Sequence, residues 1–333
     1  MFIINDYSIA VLFCFITMLC WGSWANTQKL ASNKWRYEYF YWDYVIGMLI
    51  CALLFAFTLG SFGSSGRPFL EDIMQASWKS IGLAFLGGVI FNIANVLLSA
   101  AIAICGMAVA FPVGIGLALV LGVLVNFLGS AKGSPLLISL GVLLIVIAIL
   151  FNSRAYLLMT RNKNKSNAKG FVLAITAGII MAFFFRFVAA SMDLENFAAP
   201  ASGLMTAYSA LVVFAVGVVG SNFLINPLMR KYPVEGAPIG IADYFKGSSK
   251  THLIGMLGGM IWCVGQAFSL IASEKAGAAI SYGLGQGATL VSALWGILIW
   301  KEFKTAPAAS HRLNVLMFVF FLAGLFLLIK AGQ

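Results

Sequence analysis

Ten stretches of about twenty mostly apolar residues restrict this chain to one kind of solvent. They cover roughly 8–26, 42–60, 80–102, 105–128, 134–152, 170–191, 200–222, 252–273, 277–300 and 313–330. A helix of about twenty such residues crosses the hydrocarbon core of a bilayer. Barrel strands would alternate polar and apolar residues over about ten positions, whereas these runs are apolar all round. Hydrophobic residues make up 61% of the 333 and charged residues 10%, against about 25% charged in a soluble domain. The fold class expected is all-α integral membrane with ten transmembrane helices. Asp6 and no Lys or Arg precede the first run, and no small-residue cleavage site follows it, so that run reads as a retained helix rather than a signal peptide.

Two joints are very short. The third and fourth runs meet near Ile104–Gly106, and the eighth and ninth near Ser273–Gly277, so each pair must be a tight antiparallel hairpin. Lys and Arg set the orientation. The side holding loops 1–2, 3–4, 5–6, 7–8 and 9–10 carries 15 of them and the other side 5, with Arg186 inside a span. This bias predicts an inner- or plasma-membrane protein with both termini outside and the basic segment RNKNKSNAK (161–169) in the cytoplasm.

The chain also repeats itself. At an offset of 171 residues, 86–120 aligns with 257–291 without a gap and with eleven identities. LGGVIFNIAN falls on LGGMIWCVGQ, and Gly106, Gly114 and Gly116 fall on Gly277, Gly285 and Gly287. Helices 3 and 4 thereby pair with 8 and 9. A five-helix repeat inserts upside down relative to its twin, which predicts two inverted five-helix repeats: 1–160, a basic linker at 161–169, and 170–333. In that architecture solute sites lie near mid-membrane between the halves.

Several chemistries are disfavoured. Cys14, Cys20, Cys51, Cys105 and Cys263 lie in apolar runs without a CxxC pair, and His252 and His311 sit at helix edges without a HExxH context. No metal, cofactor or enzymatic activity is expected. The net charge of +10 comes from cations flanking apolar spans, where anionic headgroups attract them, so the lipid bilayer and not nucleic acid is the expected partner. GLGQGA (283–288) loosely fits a dinucleotide fingerprint but lacks a preceding strand and βαβ unit, and no GxxxxGK[ST] is present, which argues against direct ATP coupling.

The polar residues inside the spans are the candidate site. Arg186, in FFFRFV (183–188), is costly in lipid unless it snorkels, pairs or faces a wet cavity; its planar fork also suits a substrate carbonyl or hydroxyl. Asn92 and Asn95 lie mid-span in helix 3, with Gln266 at the repeat position of Asn95. Amides both donate and accept, as a neutral solute requires, although they also bond helices together. Tyr282, Gln286 and Thr289 share one helical face. Trp21 and Trp262 offer rings that stack on a sugar face or a planar base, while Trp24, nearer the end of helix 1, reads as an interfacial anchor. Among the acids, Asp43 in YWDYV is the candidate for proton coupling, and Glu38 and Glu302 stand at helix ends.

CWGSW (20–24), LLFAFTLGSFG after YWDY, the five-plus-five repeat and the stretch 258–303 resemble the drug/metabolite transporter superfamily. Within it the chain resembles most the ureide permease branch and the neighbouring glucose, ribose and rhamnose porters, over essentially its whole length. The linker is much shorter than the long cytosolic loop of plant ureide permeases. The resemblance implies a ten-helix basket with a central cavity on helices 1, 3, 6, 8 and 9. It also implies uptake, often proton-coupled, of neutral metabolites: monosaccharides in one branch, allantoin, oxopyrimidines or purines in the other.

The function expected is secondary import of a small neutral polar metabolite by alternating access with H+, a monosaccharide being favoured over a nucleobase or ureide. A ureide or nucleobase permease and an amino-acid or drug exporter are the alternatives. A cationic-drug pump would carry an acid at mid-membrane. The expected partners are a small-molecule substrate and H+, with a homodimer left open.

Overall fold

The structure, a computed structural model, describes residues 1–31, 35–129, 133–160, 166–234 and 236–332. Among the described residues, ten helices are long and apolar enough to span a membrane: α1 Tyr7–Ala31, α2 Tyr37–Phe57, α3 Trp78–Cys105, α4 Met107–Gly129, α5 Pro135–Met159, α6 Ala168–Ala190, α7 Ala207–Lys231, α8 Ser249–Ala276, α9 Ala278–Ile299 and α10 Ala308–Ala331. Of the predicted linker 161–169, residues 161–165 lie outside the described residues, and helix is present from Ser166.

One boundary differs from the sequence reading in an informative way. Helix α2 starts at Tyr37, not near 42, because the polar-looking turn YEYFYW is turned inward, with Glu38, Tyr39, Phe40 and Tyr41 buried. A short helix, Phe69–Gln75, and a 3₁₀ turn, Ile241–Lys246, add to the loops.

The aligned segments share local structure. Both α3 and α8 have 28 residues. Ser77 caps α3 by accepting from the Ser80 N–H, and Ser248 caps α8 by accepting from the Thr251 N–H, 3.2 Å in each case. Such caps satisfy amide groups that the first turn leaves without partners. The helices end at Gly106 (φ 81°) and Gly277 (φ 79°), a region that side chains avoid, and each glycine turns the chain directly into the next span. Gly88 approaches α7 so closely that a methyl group there would stand 2.1 Å from the Phe214 carbonyl oxygen. Gly259, 171 residues later, approaches α2 to 1.8 Å from the Tyr44 carbonyl oxygen by the same measure.

Packing pairs α3 with α6 and α7, and α8 with α1 and α2; α5 lies on α10, and α2 on α7. Helices α4 and α9 are both irregular. A π turn at Phe111–Ile115, around Pro112, disturbs α4, and α9 breaks at Gln286–Gly287. The positions Ile115 and Gln286 are again 171 apart.

The loops segregate as ten crossings require. Residues Lys29, Trp35 and Arg36, Gly106, and Val234 and Gly236 border one cavity, Lys169 Nζ bonds the Val234 carbonyl, and Lys29 pairs with Glu302. These residues define one face of the bundle, the basic face. On the other, the Met1 amine bonds the Ser65 carbonyl (2.5 Å), Ser134 N–H the Ala331 carbonyl (2.8 Å), and Gly203 N–H the Gln75 Oε1 (2.7 Å).

Candidate functional site

A small enclosed cavity lies where α1, α3, α4, α6, α8 and α9 converge. Trp21, Trp24, Asn95, Phe111, Phe184, Trp262 and Gln286 are among its walls. Trp262 is fourteenth of the 28 residues of α8, about 20 Å from its start at 1.5 Å per residue, which is mid-span. The irregular turns of α4 and α9 both contribute to it, through Phe111 and Ile115 on one side and Gln286 on the other. Interrupted helices are tolerated at membrane depth where backbone is buried in protein or lines a cavity.

Aromatic rings dominate the walls. Trp21 stacks on Trp262 with centroids 5.6 Å apart and planes 9° off parallel, and Trp21 Nε1 donates to the Trp262 carbonyl at 3.2 Å. Phe91 and Phe214 close the far side of Trp262, at 4.2 and 5.8 Å. Two amides supply the polar groups: Gln286, and Asn95, whose Nδ2 donates to Tyr41 OH at 3.3 Å. The volume is about 20 Å³, room for about one water and far below the several hundred Å³ of a ligand pocket. The site is closed on itself in this conformation.

Of the residues picked from sequence, Trp21, Asn95, Trp262 and Gln286 meet here, and the others lie elsewhere. Asn92 is buried between helices, its Nδ2 donating to Ser221 Oγ of α7 at 2.9 Å. Tyr282 OH donates to the carbonyls of Ala118 (3.2 Å) and Met181 (3.3 Å), tying α9 to α4 and α6; its repeat partner Phe111 lines the cavity instead. Arg186 is half-buried, its guanidinium packed on Gly129 at the end of α4 and outside the cavity wall. Gln266 is fully buried one turn beyond Trp262, and neither of its amide atoms has a hydrogen-bond partner. Trp24, read from sequence as an interfacial anchor, is 2% exposed and walls the cavity on the side of the basic face.

A second cavity, a vestibule of about 450 Å³, opens on the basic face between Gln28, Lys29, Trp35, Arg36, Ile102 and Gly106. Gln28 is at its base, Nε2 donating to the Ser99 carbonyl at 3.0 Å. One helical turn of α1, from Gln28 to Trp24, separates the two cavities. Lys29 pairs with Glu302 and lies 5.0 Å above the Trp300 ring. The Glu302 carboxylate also accepts the N–H groups of Met107 (3.2 Å) and Ala108 (2.7 Å), where the start of α4 favours a negative charge. On the opposite face a buried Asp72 accepts from Arg67 Nε (3.0 Å), Thr206 N–H (2.7 Å) and Thr206 Oγ1 (2.9 Å), tying the 69–75 helix to the start of α7.

Asp43 is not in the cavity. It lies fully buried near the basic face, with Tyr244 OH at 2.6 Å, His252 Nδ1 at 2.7 Å and Trp35 Nε1 at 3.1 Å. His252 and Tyr244 carried no signal in the sequence that linked them to Asp43, being 209 and 201 residues away. Among the described residues, no group of three His, Cys, Asp or Glu is placed to hold a metal ion.

The chain is similar along its whole length to membrane carriers. Ureide permease 1 of Arabidopsis thaliana is 21% identical over 387 residues, covering 100% of this chain and 99% of that one. A Streptococcus agalactiae serotype V protein named "Putative sugar uptake protein" is 24% identical over 305 residues, covering 89% and 90%. One protein of known crystal structure shares the fold, with a TM-score of 0.57 at 15% identity over 97% of this chain and 99% of the other. The profile of the family described as "Sugar transport protein" matches residues 12–329. This integral membrane chain of ten apolar helices, a transporter and not an enzyme, belongs to the sugar transport protein family.

Proposed function

We propose that the protein imports a monosaccharide by alternating access between two inverted five-helix halves, 1–160 and 170–333, with H+ as the coupling ion. The single observation that carries this reading is the mid-span cavity walled by the Trp21–Trp262 stack and the amides of Asn95 and Gln286. Indole faces pack against the C–H face of a sugar, and uncharged amides donate to and accept from its hydroxyls. Gln266 adds a buried amide one turn away, without a protein partner. The lining residues include no acid, which disfavours export of cationic drugs. The matched caps, joints and helix interruptions at the 171-residue offset support the repeat. The vestibule on the basic face, opposite the Asp72 tie, supports a state facing the cytoplasm, with both termini outside.

The flat indole faces favour a second reading, in which a planar ureide or nucleobase stacks on Trp21 or Trp262 once the pair opens. The test is counterflow in liposomes holding purified protein, with labelled hexoses, pentoses, allantoin and uracil, with and without a pH gradient. Exchange of a sugar supports the first reading and exchange of allantoin or uracil the second; exchange of neither overturns both.

A further inference from the structure

Loop 7–8 is fastened over the vestibule. Its residues Val234 and Gly236 form part of the cavity wall. Arg36 NH1 donates to the Ala237 carbonyl at 2.6 Å and Tyr39 OH to the Gly240 carbonyl at 2.5 Å. The deepest fastening is Tyr244 OH on the buried Asp43 carboxylate, whose other partners are Trp35 and His252. Trp35 belongs at once to this cluster and to the vestibule wall. His252 retains 20% side-chain exposure against 0% for Asp43, so a proton reaches the pair from solution on the basic face.

We propose that Asp43 and His252 form a proton-binding site that latches the 236–248 segment over the mouth of the vestibule. The proposal rests on the transport reading only for its consequence, not for the latch itself. With a proton on the ring, the pair is imidazolium against carboxylate, and the carboxylate keeps its place as the acceptor for Tyr244. When the proton leaves to the solution on the basic face, Asp43 is left a buried carboxylate without a counter-charge, a costly state that releasing the segment relieves by admitting water. Histidine is the side chain whose charge ordinarily changes between pH 5 and 8. Tyr244 remains a donor across that range, because burial, and then its bond to Asp43, hold its hydroxyl above the ordinary phenol range.

The other charged groups on the packed elements are engaged elsewhere. Arg36 bonds Glu38 at 2.5 Å, and that bond raises its guanidinium above the usual range. Asp243 pairs with Lys246 at 2.6 Å in solvent, and Arg230 donates to Asn226 at 3.0 Å. Tyr39 faces the same loop, and Lys250 stands exposed on the first turn of α8. The hydrogen bonds that reach Asp43 come from Trp35, Tyr244 and His252.

The chain has two histidines, His252 and His311, so the site is directly observable. Histidine-labelled protein in nanodiscs is titrated by NMR, with His311→Gln assigning the signals, while hydrogen–deuterium exchange follows the amides of 239–248 in the same samples. Stripping a buried charge of its partner destabilises the segment that covers it, and amide exchange reads that local opening. Protection, corrected for intrinsic exchange, should therefore fall about tenfold or more as pH rises, at the midpoint of the His252 titration. His252→Gln should abolish that pH step. Tyr244→Phe should leave the segment unprotected at every pH while His252 still titrates, which shows the fold intact. Protection that ignores the His252 titration, or a step that persists in His252→Gln, overturns the latch. A latch that titrates in a chain exchanging no solute would keep this proposal and overturn the transport reading.

Discussion

Gln266→Leu separates a waiting ligand group from a structural one, because the two roles predict opposite signs. The Gln266 amide is fully buried in α8 and both its polar atoms lack a partner. Burying an amide unpaired costs about 1–3 kcal/mol by mutational measures, so leucine, of similar reach, should stabilise the closed state by about 1 kcal/mol or more. If a solute pairs with both amide atoms, leucine also deletes two hydrogen bonds worth about 0.5–1.5 kcal/mol each. Affinity should then weaken about 5- to 150-fold. The assay pairs thermal denaturation of the detergent-purified protein with isothermal titration of the solute that passes the counterflow screen. A higher melting midpoint with weaker binding is expected. A lower midpoint with unchanged affinity would show that Gln266 holds helices together, and the reasoning would fail.

Other outcomes follow from the same geometry. Arg186→Ala should keep solute affinity within about twofold while lowering thermal stability, since its guanidinium packs on Gly129 and not on the cavity; a large affinity loss in the same titration would place it back in the site. Gly259→Ala should destabilise severely, because the added methyl meets the Tyr44 carbonyl at 1.8 Å and neither helix backbone yields cheaply; a normal yield and melting midpoint would contradict that approach. Glu302→Gln should cost about 1–3 kcal/mol, since it loses the ion pair with Lys29 and the charge at the start of α4. That loss reads out as a lower melting midpoint.

The ten spans were legible because lipid demands one property, apolarity, over a fixed length. The joints at Gly106 and Gly277 were legible because nothing polar separates the runs. The start of α2 was not, since YEYFYWDY has tyrosines and acids that hydropathy scores as polar, whereas here they are folded inward. Depth along a helix can be counted from sequence, but azimuth cannot. Arg186 and Tyr282 both lie inside apolar runs, yet one faces the end of α4 and the other bonds backbone carbonyls. Trp21, Trp262, Asn95 and Gln286 share both depth and direction. Asp43 was picked out in the sequence as the coupling candidate, but its partners were not, because they come from the approach to α2, loop 7–8 and α8, a juxtaposition that only the packed fold creates.

On the proposed function, solute passes through the Trp21–Trp262 cavity. The measurement closest to it is counterflow by proteoliposomes of the wild type beside Trp262→Ala, whose fold is first verified by its melting midpoint. The wild type should exchange a sugar or a ureide, and the variant should lose nearly all exchange while remaining folded. A folded Trp262→Ala that exchanges the same solute at the wild-type rate would contradict the account.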